Sequence, residues 1–117
     1  MSTYSKELLS GCTNGLGVVV SGSVSGSATS VLVHTAHSTA VDEVWLYAVN
    51  SSTGTVKLTV EWGELTAPNG NIEVNLEGET GLYLVIPGLL LTGALVIRAF
   101  ASVQNAIILH GFVNRIT

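Results

Sequence analysis

Residues 43–62 read EVWLYAVNSSTGTVKLTVEW, two apolar runs with a short polar segment between them. In residues 56–62 apolar and polar side chains alternate strictly, which predicts a strand with one face toward a core. In residues 43–49 both faces are apolar, which predicts a strand covered on one side by the core and on the other by a partner or a covering segment. The polar residues 50–54 are typical of a hairpin loop. The side chains expected to face outward from the second strand are Lys57, Thr59 and Glu61.

From residue 31 onward, short β-branched and aromatic runs follow one another, separated by turn residues. With a small apolar island at residues 18–20 they predict about eight strands, and only residues 4–9 are compatible with a short helix. Pro87 is expected to end the strand that begins at Leu82, because proline cannot donate to the ladder. This spacing predicts an all-β chain, a single β-sandwich or jelly-roll-like domain of antiparallel strands. The remaining predicted strands are 31–35, 72–77, 94–101 and 106–116.

The first part of the chain differs from the rest. Glycine, serine and threonine dominate residues 10–30, which offer few apolar side chains for burial. Such a composition is typical of a flexible segment. We therefore predict a partly flexible, Gly/Ser-rich N-terminal arm over residues 1–30 and a β-sandwich domain over residues 31–117.

The composition limits the possible partners. The 117 residues carry a formal net charge of −4, and 10% of them are charged against 47% that are hydrophobic. The four basic residues are scattered, so no basic stripe exists to neutralise phosphates, and nucleic acid is not an expected partner. The single cysteine, Cys12, excludes an internal disulfide. With a mean hydropathy of +0.54, the chain is expected to cover part of its surface against copies of itself.

Two segments resemble membrane signals. Leu9-Ser10-Gly11-Cys12 matches the box before a lipid-modified cysteine, but the apolar region that a secretory signal needs does not precede it. Residues 81–97 are uncharged, yet Pro87-Gly88 and Thr92-Gly93 interrupt them. Two buried strands joined by a turn fit this segment better than a spanning helix. No membrane partner is expected.

The histidines come nearest to a metal site. His34 and His37 lie three positions apart, which on a strand places them on opposite faces unless the strand ends between them. We expect a strand histidine at position 34 and an exposed loop histidine at position 37. Cys12 and His110 lie elsewhere in the sequence, and His110 is expected in a core or a subunit contact. Neither a metal nor a cofactor is expected.

No catalytic motif is complete. The serines of residues 22–26 do not occupy the positions of a Gly-x-Ser-x-Gly nucleophile elbow, and the glycine-rich residues 11–17 lack the lysine of a phosphate-binding loop. The paired carboxylates lie at predicted strand ends or outward positions, where a solvated charge is expected. The chain is therefore predicted not to be an enzyme. These carboxylate pairs are Asp42 with Glu43, Glu61 with Glu64, and Glu77 with Glu79.

Aromatic side chains on strands are expected to anchor a core or an interface rather than a reactive site. Trp45 and Tyr47 belong to the run that is apolar on both faces. Ile108, His110 and Phe112 form a second apolar group near the end of the sequence. We predict these five residues as interface residues.

Residues 42–63 and the later stretch LHGFVNRI, residues 109–116, resemble small virion proteins of tailed bacteriophages. The likeness extends over about residues 31–117 and rests on the pattern of strands and turns. It implies a decoration or cement protein, a β-rich homo-oligomer and often a trimer. Such a protein sits on the capsid exterior, binds the major capsid protein and clamps neighbouring capsid subunits. The resemblance implies no catalytic residues.

Two other functions stay open. One is a tail, neck or fibre-associated β-domain of a virion that binds a host glycan or a neighbouring virion protein. Exposed aromatic and acidic side chains clustered at one end of the domain would favour it. The other is a small hydrolase or metal enzyme, for which no motif meets the geometric requirements.

Overall fold

A computed structural model describes residues 3–21, 30–79 and 81–117. These residues form nine strands and no helix, so none of them belongs to a helix that could cross a membrane. The strands are β1 (Tyr4–Leu8), β2 (Val18–Val19), β3 (Val31–Thr35), β4 (Val41–Asn50), β5 (Val56–Trp62), β6 (Asn71–Leu76), β7 (Tyr83–Leu91), β8 (Val96–Ala101) and β9 (Ile107–Ile116).

The strands form two antiparallel sheets. The five-stranded sheet has the order β1-β9-β4-β7, with β2 also paired to β9, and the four-stranded sheet has the order β3-β8-β5-β6. The strand pairs are nested one inside the next, as in a single long hairpin. The outermost pair is β2 with β9, followed by β3 with β8, β4 with β7, and β5 with β6. Successive pairs fall alternately in the two sheets, which is the jelly-roll arrangement of a β-sandwich. The predicted fold class is confirmed.

The core lies between the two sheets and consists of aliphatic side chains. Val44, Leu46 and Ala48 of β4 are fully buried, as are Leu58 and Val60 of β5. Both strands lie inside their sheets rather than at an edge, so neighbouring strands shield their inward side chains on both sides. Burial of one such Leu or Val side chain contributes about 1.5–3 kcal/mol to folding.

The predicted hairpin over residues 50–54 is wrong. β4 pairs with β9 and β7, whereas β5 pairs with β6 and β8. Residues 51–55 therefore carry the chain from one sheet to the other. Asn50 holds this connection, because its side-chain Nδ2 donates to the carbonyl oxygens of Gly54 and Leu76 at 2.9 Å each. The local signal for a turn was sound, but the strands that flank a turn need not pair with each other.

The expectation that Pro87 ends a strand is also wrong. β7 continues through Pro87 to Leu91, at the edge of the five-stranded sheet. Proline is tolerated on an edge strand, where its missing N–H needs no partner in a further strand. The register with β4 shifts on either side of Trp45 and Leu46, and Gly88 adopts a φ of 84° next to the proline. The irregularity is absorbed within the strand.

The N-terminal residues that the structure describes belong to the sandwich. Residues 4–8 form β1 and not the short helix with which the sequence of residues 4–9 is compatible, because pairing with β9 supplies the backbone hydrogen bonds that a helix would have made internally. Leu9, Val18 and Val20 are buried in the core. Residues 22–29 of the predicted arm lie outside the described residues.

The alternation predicted for β5 holds on its inner face but not on its outer face. Val56, Leu58 and Val60 are buried as expected. Thr59 and Glu61 are also buried, at 3% and 2% exposure, so the expectation of solvated outward positions is wrong for them. β5 lies between β6 and β8, and their residues stand directly beside both side chains.

Candidate interaction surface

The five predicted interface residues lie together on one face of the five-stranded sheet. Along β4 and β9, buried side chains alternate with half-buried ones that point away from the four-stranded sheet. The register places Trp45 opposite Phe112 and Tyr47 opposite His110. Ile108 follows on the same face, opposite Val49. We call this outward side of the five-stranded sheet the apolar face.

Strands β1 and β2 extend the apolar face on one side. Tyr4 and Leu8 of β1 lie opposite Ile116 and Phe112, and both are more than half exposed. Val19 of β2 lies opposite Ile108. Sequence analysis missed these residues, because three alternate positions in β1 are too short a pattern to distinguish a strand from a helix.

Strand β7 extends the apolar face on the other side. Leu84 pairs with Tyr47, and Leu90 pairs with Glu43. Both leucines are exposed. The face thus runs across all the strands of the sheet.

The centre of the apolar face is held in place by contacts between side chains. The rings of Trp45 and Phe112 are nearly parallel, at 11°, with centroids 6.4 Å apart. Lys6 Nζ lies 5.3 Å from the Phe112 centroid, within cation–π range. Trp45 Nε1 donates a hydrogen bond to Glu43 Oε1 at 2.8 Å. These contacts orient two aromatic side chains before any partner binds.

The outer face of the four-stranded sheet is different. Lys57 of β5 and Glu73 of β6 form an exposed ion pair there, with Nζ and Oε1 2.8 Å apart. Asn75 is also exposed on β6, opposite Lys57. A polar outer face is the usual result when one side of an antiparallel sheet packs on the core and the other meets water. The outer face of the four-stranded sheet is therefore polar, with Lys57 and Glu73 exposed although Thr59 and Glu61 are buried, whereas the outer face of the five-stranded sheet is apolar in character.

A buried polar cluster lies where β3 ends and β4 begins. Asp42 is fully buried and accepts hydrogen bonds from Arg115 Nε at 2.8 Å and from Arg115 Nη2 at 3.1 Å. Its Oδ2 also accepts from the backbone N–H of His37 at 3.3 Å and lies 2.8 Å from His34 Nε2. The expectation that Asp42 is a solvated charge is wrong, because Asp42 occupies the first inward position of β4.

The hydrogen bonds of His34 define its tautomer. The backbone N–H of Ser10 donates to His34 Nδ1 at 3.0 Å. Since a backbone N–H can only donate, Nδ1 holds a lone pair, and the ring proton is on Nε2, from which it is donated to Asp42. Both nitrogens are engaged, and the residue is 1% exposed. No nitrogen of His34 is left to take a proton from a substrate or to bind a metal ion.

The electrostatics of the cluster keep Asp42 ionised. Burial is the largest single influence on the pKa of the Asp42 carboxyl and raises it, but hydrogen bonds from Arg115 and His34, the charge of Arg115 and the His37 N–H outweigh burial. The pKa of Asp42 is therefore lower than its usual 3.8. The hydrogen bond to Asp42 raises the pKa of Arg115 in turn.

The cluster fastens the segment between β1 and β2 to the sandwich. Besides the Ser10 bond to His34, Ser10 Oγ accepts from the N–H of Thr35 at 2.6 Å. The N–H of Gly11 donates to the carbonyl oxygen of Val33 at 2.9 Å. The side of β3 that has no neighbouring strand is thus partly covered. We assign the cluster a structural role.

The other candidate groups form no reactive arrangement in the described part of the chain. His37 lies in the loop before β4, where its Nδ1 accepts from the N–H of Ala40 at 2.9 Å. No group of three or more His, Cys, Asp and Glu side chains in residues 3–21, 30–79 and 81–117 is placed to hold a metal ion. A shallow groove of about 340 Å³ runs between Leu65 and Leu95, beside Arg98.

No protein-family model matches the sequence, and comparison with curated proteins and with solved structures gives no match either. The resemblance to phage virion proteins therefore rests on the pattern of strands and turns in the sequence alone. Any function has to be argued from the apolar face and the composition.

Proposed function

We propose that this chain is a non-enzymatic structural protein of a bacteriophage virion, a decoration or cement protein. In this role it forms a homo-oligomer, binds the major capsid protein on the capsid exterior and stabilises the shell. The observation that carries the proposal is the apolar face, in which Trp45 and Phe112 lie at the centre of a sheet surface with few charges. An apolar surface of this extent on a small domain is typical of a protein that works as part of an assembly.

The composition supports the same conclusion. Only 10% of the residues are charged, well below the roughly 25% that is usual for a soluble globular domain. Covering the apolar face with another protein removes the part of the surface that is least compatible with water. The resemblance favours a trimer as the oligomer.

Binding to a capsid is favoured by the repetition of identical sites on its surface. A shell presents the same site many times, so an oligomer can engage several sites at once. The effective concentration of the second and later contacts then makes weak single contacts tight in combination. Stabilisation of the shell would come from bridging neighbouring capsid subunits.

The test combines mass in solution with capsid binding. Light scattering at several concentrations measures whether the purified chain is a closed oligomer. Co-sedimentation with capsids of the phage that encodes the chain measures attachment, and heating the loaded and bare capsids measures stabilisation. We expect a closed oligomer that sediments with capsids and raises their disruption temperature. A chain that fails to sediment with those capsids would refute the proposal.

A second function is favoured by one feature of the apolar face. Glu43, Lys6 and Asn114 lie in one row beside the aromatic pair of Trp45 and Phe112. Aromatic rings beside carboxylate, ammonium and amide groups are suited to bind a sugar ring. The alternative is a tail, neck or fibre-associated β-domain that binds a host glycan or a neighbouring virion protein. Glycan-array binding that Trp45→Ala abolishes, without capsid attachment, would favour this alternative.

A further inference from the structure

We infer that the apolar face binds the same face of a second copy of this chain, around a two-fold axis that runs along β9. The inference rests on the homo-oligomer of the proposed function and names its contact surface. It commits to two-fold symmetry, whereas the resemblance to phage proteins favours a trimer.

The first argument is the position of the charges. Among the described residues, Lys6 and Glu43 are the charged side chains of the apolar face. Lys6 on β1 and Glu43 on β4 both lie opposite Asn114 on β9, one strand to either side of it. A two-fold axis along β9 exchanges the two sides, so Lys6 of each copy stands over Glu43 of the other. Asn114 of one copy meets Asn114 of the other, and two side-chain amides can donate to and accept from each other.

The apolar rows agree with the same axis. The rotation places Leu8 of one copy over Trp45 of the other, since both lie beside Phe112 on opposite sides. In the same way it places Val19 over Val49, which both lie beside Ile108. Each apolar position therefore meets an apolar position.

The alternative orientation of two facing sheets does not pair the charges. An axis across the strands at Phe112 would exchange the row of Asn114 with the row of His110. Glu43 of one copy would then stand over Tyr47 of the other, and Lys6 would meet no carboxylate. A charge buried in an interface without a partner is strongly unfavourable, so the charge pattern selects the axis along β9.

The overlap places the contact near the lower size limit of biological interfaces. β4 and β9 have ten residues each, which at about 3.4 Å per residue gives a length of about 34 Å. The axis along β9 brings three strand positions into contact, those of β1 and β2, of β9 and of β4, and leaves β7 outside. At about 4.8 Å per position the width is about 14 Å. The overlap is therefore about 490 Å² per copy, or about 980 Å² for two copies, close to the roughly 1,000 Å² expected of a biological interface.

Charge exchange tests the contact directly. Lys6→Glu places two carboxylates together at each of the two sites, and Glu43→Lys places two ammonium groups together. We expect each single variant to raise the dimer dissociation constant by at least about tenfold, since close interfacial charge pairs couple strongly. The double variant, Lys6→Glu with Glu43→Lys, should bring the dissociation constant back toward that of the unmodified chain. Sedimentation equilibrium measures all of these constants.

The matched control is the ion pair on the other outer face. Lys57→Glu and Glu73→Lys change the same two residue types at an exposed pair. We expect the dissociation constant to stay the same in both. An equal loss of association in these controls would show a general charge effect and overturn the inference.

A cross-linking experiment covers the possibility that a charge variant fails to fold. A Lys6→Cys chain is mixed with a Glu43→Cys chain, both in a Cys12→Ser background. Two facing sheets lie about 10 Å apart, too far for a disulfide between the two cysteines, so a thiol-reactive cross-linker that spans about 10 Å is used. We expect the mixture to give a covalent heterodimer and each variant alone to give far less, because the two Lys6 positions of a dimer lie on opposite sides of the axis, as do the two Glu43 positions. A mixture that cross-links no more than the single variants would overturn the inference.

The possible outcomes separate the contact from the function. A trimer that binds capsids and whose dissociation constant does not change in the charge variants would overturn the two-fold contact and leave the decoration role supported. A dimer whose dissociation constant changes as expected in the charge variants, but which does not bind capsids, would support the contact and refute the decoration role. A chain that is monomeric at all concentrations, with a glycan bound on the apolar face, would overturn the contact.

Discussion

Ser10 and His34 are joined by a hydrogen bond of 3.0 Å from the backbone N–H of Ser10 to Nδ1 of the imidazole. The bond connects the segment after β1 to a side chain in the interior of the sandwich. Through His34 it reaches Asp42 and, through Asp42, Arg115 on β9. Ser10 is thus linked to β3, β4 and β9 by one series of hydrogen bonds.

His34→Ala should destabilise the fold by about 2–4 kcal/mol, because it leaves the Ser10 N–H unpaired and removes a donor from buried Asp42. The measurement is urea unfolding at neutral pH. His37→Ala is the control, since His37 lies in a loop and is less buried. His37→Ala should lower the free energy of unfolding clearly less than His34→Ala does. Equal losses in the two variants would contradict the role assigned to the buried cluster.

Stability should fall as the solution is acidified through the titration of Asp42. The pKa of Asp42 is lower in the folded chain than its usual 3.8, so at acid pH the unfolded state binds more protons than the folded state. The contribution of ionised Asp42 to the free energy of unfolding is complete above a pH of about 5, and it is lost as the pH falls through 3.8 and below. Urea unfolding at several pH values should give a smaller acid-dependent loss for Asp42→Asn, which should also be less stable at neutral pH. If the stability of Asp42→Asn fell with pH as steeply as that of the unmodified chain, Asp42 would be excluded as a source of the acid sensitivity.

Deleting residues 1–21 should unfold the domain. The deletion removes the buried side chains of Leu9, Val18 and Val20, each worth about 1.5–3 kcal/mol, and a small domain has only about 5–15 kcal/mol of stability in total. Circular dichroism and thermal unfolding measure the result. Deleting residues 1–8 is the control, because it removes β1, whose side chains are mostly exposed. That shorter variant should stay folded, and a folded 22–117 fragment would contradict the core role of these residues.

Trp45→Ala should weaken self-association more than it weakens the fold. Trp45 is half-buried in the single chain and stacks on Phe112, and loss of a central aromatic anchor typically costs about 2 kcal/mol or more in binding. The dissociation constant should rise by at least about thirtyfold, by the usual factor of ten for each 1.4 kcal/mol. Phe100→Ala is the matched control, since Phe100 is a half-buried aromatic on the outer face of the four-stranded sheet. If both variants associate equally, the apolar face is not the contact.

Gly88→Ala should destabilise the chain more than Gly93→Ala. Both glycines have positive φ values, 84° and 71°, so both substitutions carry the backbone cost of a left-handed alanine, about 1–2 kcal/mol. A Cβ at Gly88 would also lie 2.9 Å from Trp45 Cζ2, whereas a Cβ at Gly93 meets nothing within 4 Å. Thermal unfolding measures the difference, which reports the contact with Trp45 alone. Equal losses would show that Trp45 moves aside freely.

Five members of the candidate surface were predicted from sequence, but the other members and the arrangement of all of them were not. Trp45 and Tyr47 stand out because their run is apolar on both faces, and this pattern is visible within seven residues. Phe112 joins them on one face only because β9 pairs with β4 in the observed register. The contributions of Leu8 and Val19 depend on two further pairings with β9.

The positions of most strands and the all-β class follow from local sequence, because side-chain alternation and turn residues act over a few neighbouring positions. The pairing of the strands depends on contacts between distant parts of the chain, and with it the facts that residues 51–55 connect two sheets and that β7 continues through Pro87. The same contacts decide that Asp42 and Glu61 are buried, since the groups that surround them come from strands far away in the chain. Local patterns specify the preference of a residue for a strand, whereas burial depends on which strands become its neighbours.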